Sequence, residues 1–230
     1  MRVPVLPARL ALLALCSSFA ASQSGERAQP AHGLVPCDDS PTAGVRPPGV
    51  ACAVLAKVQF DSVPHGTVVL RFETFPTLEA ARRASAPASS VVRVAGKVWL
   101  ISLAVPGERS RGGRFVAEVG PAPPLPRASR YEMRVSEADF GPDLNPQIAN
   151  AVHTHSGPEF WLVLTGVQCL ETPAGATRAR AGHGMFAPAD TPMQLHIVGP
   201  TKRDAIFVIV HDAAQPATTV SEWRPTGACR

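Results

Sequence analysis

The 230-residue sequence predicts a mainly β protein, with a β barrel or sandwich in its C-terminal half and a small α+β module ahead of it. Three observations predict this. Pro (24) and Gly (18) recur along the chain, a punctuation that suits short strands and turns better than long helices. From Tyr131 onward, short apolar runs come at regular intervals between turn signals. Hydrophobic residues make up 45% and charged residues 17%, so a core can be buried and wholesale disorder is excluded.

Residues 1–20 read as a secretory signal. Arg2 and Arg9 supply its charge, Leu10 to Leu15 a short apolar stretch, and Ser18-Phe19-Ala20 puts small residues, Ser18 and Ala20, at the two positions read before a cleavage site after Ala20. The apolar run is too short to span a bilayer. Acylation at Cys16 is the weaker alternative, because Leu15 stands where a small residue is expected. Export to the periplasm or the extracellular space is therefore expected, with no membrane association after cleavage. Removing two Arg and no acid lowers the net charge from +4 to about +2, which argues against a nucleic-acid partner. Four cysteines remain in the mature chain: Cys37, Cys52, Cys169 and Cys229. An even number in an exported protein points to disulfides. Of the three pairings, Cys37–Cys52 closes a local loop and Cys169–Cys229 pins the tail, so these two are favoured. Zinc competes, but no C-x-x-C spacing supports it.

Residues 21–52 are rich in Ala, Pro, Ser and Gly and read as an irregular leader. Residues 53–120 read as the α+β module. Thr67 to Phe75 is a strand, and Thr77 to Ala84 a short helix with Thr77 as N-cap and Leu78 and Ala81 on one face. Val91 to Val94 and Lys97 to Val105 are strands joined at Ala95-Gly96, and Phe115 to Val119 is another. Pro121 to Pro126 marks a boundary. A degenerate second copy of the barrel is the alternative for this half; the helix and the absence of any H-x-H favour the α+β reading. In the second half, strands are expected at Tyr131–Val135, Val152–His155, Phe160–Thr165, Val167–Glu171, Ala176–Arg180, Met185–Pro188, Met193–Val198 and Ala205–His211. Together they place a barrel at 130–213, followed by a C-terminal tail at 214–230.

Chemistry concentrates in His153-Thr154-His155-Ser156-Gly157-Pro158-Glu159. On a strand, residues i and i+2 share a face, so both imidazoles point the same way, and a Gly-Pro turn returns Glu159 beside them. Two His and a carboxylate suit a divalent transition metal: Fe, Mn, Ni, Cu or Zn. The competing explanation for a single His is a surface or core residue; the triple at this spacing favours a metal site. Trp161 and Val163 share parity with Glu159 and should face the barrel interior, giving an apolar pocket for a small-molecule ligand. His211 ends an apolar strand and is assigned to the pocket lining. His183, between two glycines, is given no role.

The run continues to Gly166, and Gly182 and Pro188 follow with G-x5-P spacing. H-x-H-x3-E-x6-G with this second element resembles the two motifs of the cupin superfamily over residues 130–213. The resemblance implies a double-stranded β-helix (jelly-roll) barrel with its pocket between two sheets. It departs from the family pattern at Gln147, where a glycine is usual, at Met193, where the third histidine is usual, and at Ile197, where asparagine is common. Met193 is read as a pocket wall, although a thioether also suits copper. His196 lies three residues away, on the opposite face unless a bulge intervenes. The segment Phe72 to Ala81 is also similar to one that precedes the barrel in exported bacterial cupin-domain proteins. Two functions follow from this reading: a metal-dependent enzyme of the oxygenase kind, or a non-catalytic module for a small molecule or metal. A structural protein with a vestigial His pair is the third. The reading allows a homodimer.

Overall fold

The computed structural model describes residues 37, 41–46, 51–140 and 151–229. The signal segment and most of the leader lie outside the described residues, as does Gln147. The strands are β1 (Cys52–Phe60), β2 (Val68–Phe75), β3 (Ser89–Val94), β4 (Lys97–Ala104), β5 (Arg114–Ala122), β6 (Tyr131–Phe140), β7 (His153–His155), β8 (Glu159–Thr165), β9 (Val167–Thr172), β10 (Gly175–Arg180), β11 (Gly184–Ala187), β12 (Gln194–Val198), β13 (Arg203–Asp212) and β14 (Thr218–Val220). The helix α1 spans Leu78–Ala84, and Thr77 Oγ1 caps it by accepting from Ala80 N at 3.1 Å.

Two antiparallel sheets face each other in the second half. One has the order β1-β6-β13-β8-β11 and the other β10-β9-β12. β7 continues the second sheet: His153 and Met193 exchange backbone hydrogen bonds at 3.1 and 2.9 Å. In the five-stranded sheet no two neighbours are consecutive in sequence, the arrangement of a jelly roll, while β9 and β10 of the second sheet form a hairpin. Between the sheets lies a cluster that includes Trp161, Val163, Leu170, Met185, Met193, Leu195, Ala205 and Phe207.

The outer face of the five-stranded sheet is equally apolar. Met133, Val135, Phe160, Leu162, Ile206 and Val208 pack there against Leu70, Phe72, Trp99, Ile101 and Val119. These belong to a four-stranded antiparallel sheet, β3-β4-β2-β5, whose far side holds α1 over Phe75, Val98 and Leu100. The molecule is thus layered, and the layering explains the sequence. β4 and β13 read as unbroken apolar runs because both of their faces are covered. On β13, Ala205 and Phe207 face the barrel, while Ile206, Val208 and Val210 face the N-terminal sheet.

The structure departs from the sequence reading at three places. Residues 52–60, with Cys52 assigned to the leader and 53–60 to the N-terminal module and no strand given, form β1 and pair with β6 along Phe60↔Tyr131 to Cys52↔Ala138. The pairing partner lies more than 70 residues on, so no local signal marks it. β6 runs on to Phe140, because its polar residues are covered by Arg46 and by the barrel rather than by solvent. The tail carries β14, which pairs with β7.

The disulfides join Cys37 to Cys52 and Cys169 to Cys229. Beside the second, the tail is held by Glu171, whose Oε1 accepts from Thr226 N (2.6 Å), Thr226 Oγ1 (2.8 Å) and Gly227 N (2.9 Å). Burial pushes this carboxyl up, but hydrogen bonds from the Thr226 side chain and from the backbone of residues 226–228 outweigh it and hold it below the ordinary range. A depressed carboxylate pKa stabilises the fold above the unfolded value of about 4.3, and that contribution is lost as pH falls through the folded value. Glu171→Gln is therefore expected to lower thermal stability at neutral pH and to shrink the difference from wild type below about pH 4. Melting curves of both proteins across that range test it; a difference independent of pH would remove the charge from the account.

Candidate metal centre

β7 and the turn after it build the centre. His153 and His155 project from the same face of β7, and Gly157-Pro158 reverses the chain so that β8 begins on Glu159. The turn is packed tightly against β13: a Cβ on Gly157 would meet the Val210 carbonyl oxygen at 1.8 Å. Only glycine allows that approach, and the approach sets where Glu159 starts.

One ligand atom from each of His153, His155 and Glu159 lies within 4.8 Å of the others. The three residues are only 3%, 3% and 2% exposed, so water does not compensate their polar atoms. The rings sit edge to face with centroids 4.8 Å apart. His153 Nδ1–H donates to the Ala151 carbonyl and His155 Nδ1–H to the Ala217 carbonyl, both at 2.8 Å. A carbonyl can only accept, so these bonds fix the tautomer and leave both Nε2 atoms for a ligand, the usual outer support of a metal-bound histidine. His155 Nε2 lies 3.5 Å from Glu159 Oε1. His155 Nε2 and Glu159 Oε2 are enclosed without a hydrogen bond.

The electrostatics match a site that holds a cation or a proton. Burial pushes His153 below its ordinary value, with the Glu159 charge only partly opposing. Burial also acts downward on His155, but the adjacent Glu159 carboxylate carries it above that value, with the Ala217 carbonyl adding to it. Glu159 is pushed up by burial and brought below the carboxylate range by His155 and His153. The Glu159 carboxylate thus favours positive charge at this place, where a cation would sit. Three donors from N and O groups, converging and short of partners, fit a divalent transition metal.

Of the other sequence-assigned residues, Trp161 faces the barrel interior and stacks on Phe207 with centroids 4.5 Å apart. Met193, fully buried, is cross-strand from His153 and belongs to the apolar cluster. Ile197 follows it on β12. The β9–β12 register runs unbroken from Gln194↔Glu171 to Val198↔Val167. With no bulge, His196 stays on the face opposite Met193 and Leu195, across from Cys169, and its Nε2 donates to Gln194 Oε1 at 3.0 Å. His211 lies 3.7 Å from Glu132 and lines a cavity of about 150 Å³ with Tyr131, Ser156, Asp190 and Gln215, apart from the triad. His183 is exposed.

Sequence reasoning missed the Ala217 carbonyl, which orients His155 from the tail. A backbone acceptor 62 residues away leaves no side-chain signal. It also missed the polar groups deeper in the barrel: Ser136, Gln168 and Arg203 are buried, with side-chain atoms that make no hydrogen bond among the described residues.

No family model matches the chain, and no curated protein matches it. Solved structures do. One is a cupin superfamily protein from Desulfitobacterium hafniense, 12% identical, covering 35% of this chain and 68% of that one, with a TM-score of 0.30. Another is a conserved protein with a double-stranded β-helix domain from Klebsiella pneumoniae, 19% identical, covering 40% and 71%, with a TM-score of 0.31. A third is the DMSP lyase DddQ from Ruegeria pomeroyi, 14% identical, covering 40% of this chain and 45% of the lyase, with a TM-score of 0.33. The strand order of the two facing sheets, with the His-x-His strand and the Glu159 turn placed between them, gives this chain a cupin-like fold.

Proposed function

We propose that this chain is an exported protein that binds one divalent transition metal through His153, His155 and Glu159 and takes a small organic molecule beside it, as a metal-dependent enzyme of the oxygenase kind. The observation that carries the reading is the convergence of three nearly inaccessible N and O donors within 4.8 Å, with both imidazoles oriented from behind by backbone carbonyls. When bound, the metal supplies Lewis acidity or a place for dioxygen. The chain's own residues do the rest. Trp161 and Phe207 form an apolar wall that excludes water. Glu159 Oε2 is within the site and can hold a proton from the substrate. Two disulfides agree with an oxidising compartment. No helix of the described residues is long and apolar enough to cross a membrane.

A non-catalytic binding module is the second reading, favoured by one observation: the apolar Met193 stands across from His153, where a third histidine, the fourth donor, would be expected of an enzyme in this fold. Metal content of the untagged protein, followed by oxygen uptake with candidate substrates, separates the two. Stoichiometric metal with uptake supports the enzyme; metal without uptake supports the module.

Met193 is a pocket wall in this proposal. Met193→Leu keeps the volume and removes the sulfur, so metal affinity is expected to change by less than about threefold. Met193→His adds an imidazole on the His153 side and is expected to tighten Zn(II) or Mn(II) binding by tenfold or more, roughly. A large loss on Met193→Leu confined to Cu(I) would make the thioether a ligand. Metal titration of the three proteins measures this.

A further inference from the structure

Beyond Trp161, at the opposite end of β13 from the triad, a guanidinium is enclosed in the barrel. Arg203 is 2% exposed. It lies on the interior face of β13 by alternation with Ala205 and Phe207, and pairs across the sheet with Phe140. Its Cζ stands 4.6 Å from the Phe140 ring and 5.5 Å from the Trp161 ring. Two of its three nitrogens, Nε and Nη1, are fully enclosed, and it makes no ion pair or hydrogen bond among the described residues. The acidic groups that act on it are Asp204, Asp139 and Glu159. Asp139 and Asp204 sit on the other face of the sheet, and Asp139 is already bridged to Arg46 and Lys202. Glu159 is engaged with His155.

Other orphaned groups face the same interior. Gln168 is completely buried, and neither its amide oxygen nor its nitrogen has a hydrogen bond. It alternates with Leu170 on β9, two residues past Gly166, and Gly166 abuts the Arg203 backbone. Ser136 Oγ is also enclosed without a partner, and Ser136, Phe207 and Trp161 lie side by side across β6, β13 and β8. Leaving a charge, an amide and a hydroxyl unpaired in one interior is costly to the fold. Proteins tolerate it where a ligand supplies the partners.

We propose that this interior is a subsite for the carboxylate of a small organic molecule, with Arg203 as its anchor and Gln168 and Ser136 as further hydrogen-bonding groups. The rings of Phe140 and Trp161 flank the guanidinium, whose N–H groups can pair with a carboxylate while the rings meet its carbon skeleton. Burial lowers the guanidinium pKa to about 10, and it remains charged at neutral pH. Arg203 and the triad both project into the space between the two sheets, so a ligand held by its carboxylate would present its other end toward the metal. The inference deepens the proposed function and rests on it for the ligand's second contact, but not for the first.

The test titrates the full chain with acetate, succinate and adipate, each beside its neutral amide, and with inorganic phosphate. Trp161 fluorescence, assigned with Trp161→Phe, and the melting temperature report binding. The proteins are wild type, Arg203→Met, Arg203→Lys and His155→Ala, with metal and with chelator. At least one carboxylate is expected to shift both signals in the wild type while its amide does not. Arg203→Met is expected to weaken that carboxylate by tenfold or more, roughly, and Arg203→Lys to retain part of the response. Without ligand, Arg203→Met is expected to melt higher than wild type, since it removes a buried unpaired charge. A response equal in wild type and Arg203→Met, a response to phosphate alone, or no response to any carboxylate overturns the proposal. So does a ligand-free Arg203→Met that melts far below wild type while Arg203→Lys does not, which makes the cation a structural pillar. A carboxylate response that survives chelator and His155→Ala in a protein that binds no metal keeps the subsite and removes the metal reading; metal binding without any carboxylate response does the reverse.

Discussion

Replacing His153 or His155 by alanine is expected to lower affinity for a divalent transition metal by at least ~100-fold, since losing even an outer-shell partner of a metal-bound histidine commonly costs 10–100-fold. Nothing stands ready to substitute. Among the described residues, the triad is the one group of three or more His, Cys, Asp or Glu whose donor atoms converge. Met193 is apolar, and His196 is on the far face of β12. The loss should not come from unfolding, because each variant also removes an imidazole that is buried with an unfilled nitrogen or a depressed pKa. Wild-type affinity is expected to fall as pH falls, because His155 is held above its ordinary value of 6.5 and its proton must leave before Nε2 can bind a cation. Calorimetric titration in two buffers of different ionisation enthalpy reads both the affinity and the proton released. A wild type that binds no metal at micromolar concentration, with His153→Ala behaving the same, would end the metal reading.

Gly157→Ala is expected to be the most damaging single methyl in the barrel, costing at least about 3 kcal/mol. The added carbon would meet the Val210 carbonyl oxygen at 1.8 Å and His211 Cα at 2.8 Å. Both contacts are backbone in the interior strand β13, which is hydrogen-bonded on both sides by β6 and β8 and has no room to recoil. The turn must open instead, carrying Glu159 away from the two histidines. Gly182→Ala is the control: a Cβ there meets nothing within 4 Å, so only the left-handed φ of 81° opposes it, at about 1 kcal/mol. Urea unfolding midpoints of the two variants compare the effects. Equal destabilisation would show that the turn at Gly157 yields more easily than its contacts imply.

The site was legible in the sequence because it is local. His153 and His155 share a face by the period of a strand, and the Gly157-Pro158 turn is short enough to bring Glu159 back within seven residues. The second-half strands were legible for the same reason: each is a short run bounded by its own turn residues. The strands of the N-terminal sheet, β2 to β5, were too, including the turn at Ala95-Gly96, where φ values of 48° and 72° meet the requirement that glycine and small residues signal.

What the sequence by itself determined is therefore the strand period, the turns between strands, the cap on α1 and the identity of three converging donors. The tertiary structure decided which surfaces those strands share. It gave β1 to the barrel sheet, laid the N-terminal sheet across the outer face of β6, β13 and β8, and brought Ala217 behind His155. It also enclosed Arg203 between Phe140 and Trp161. Each of these depends on partners tens of residues away, chosen by which apolar faces remain uncovered once the local elements exist. A period-2 pattern says that a residue is buried on one face or the other, but carries no information about what will lie against it.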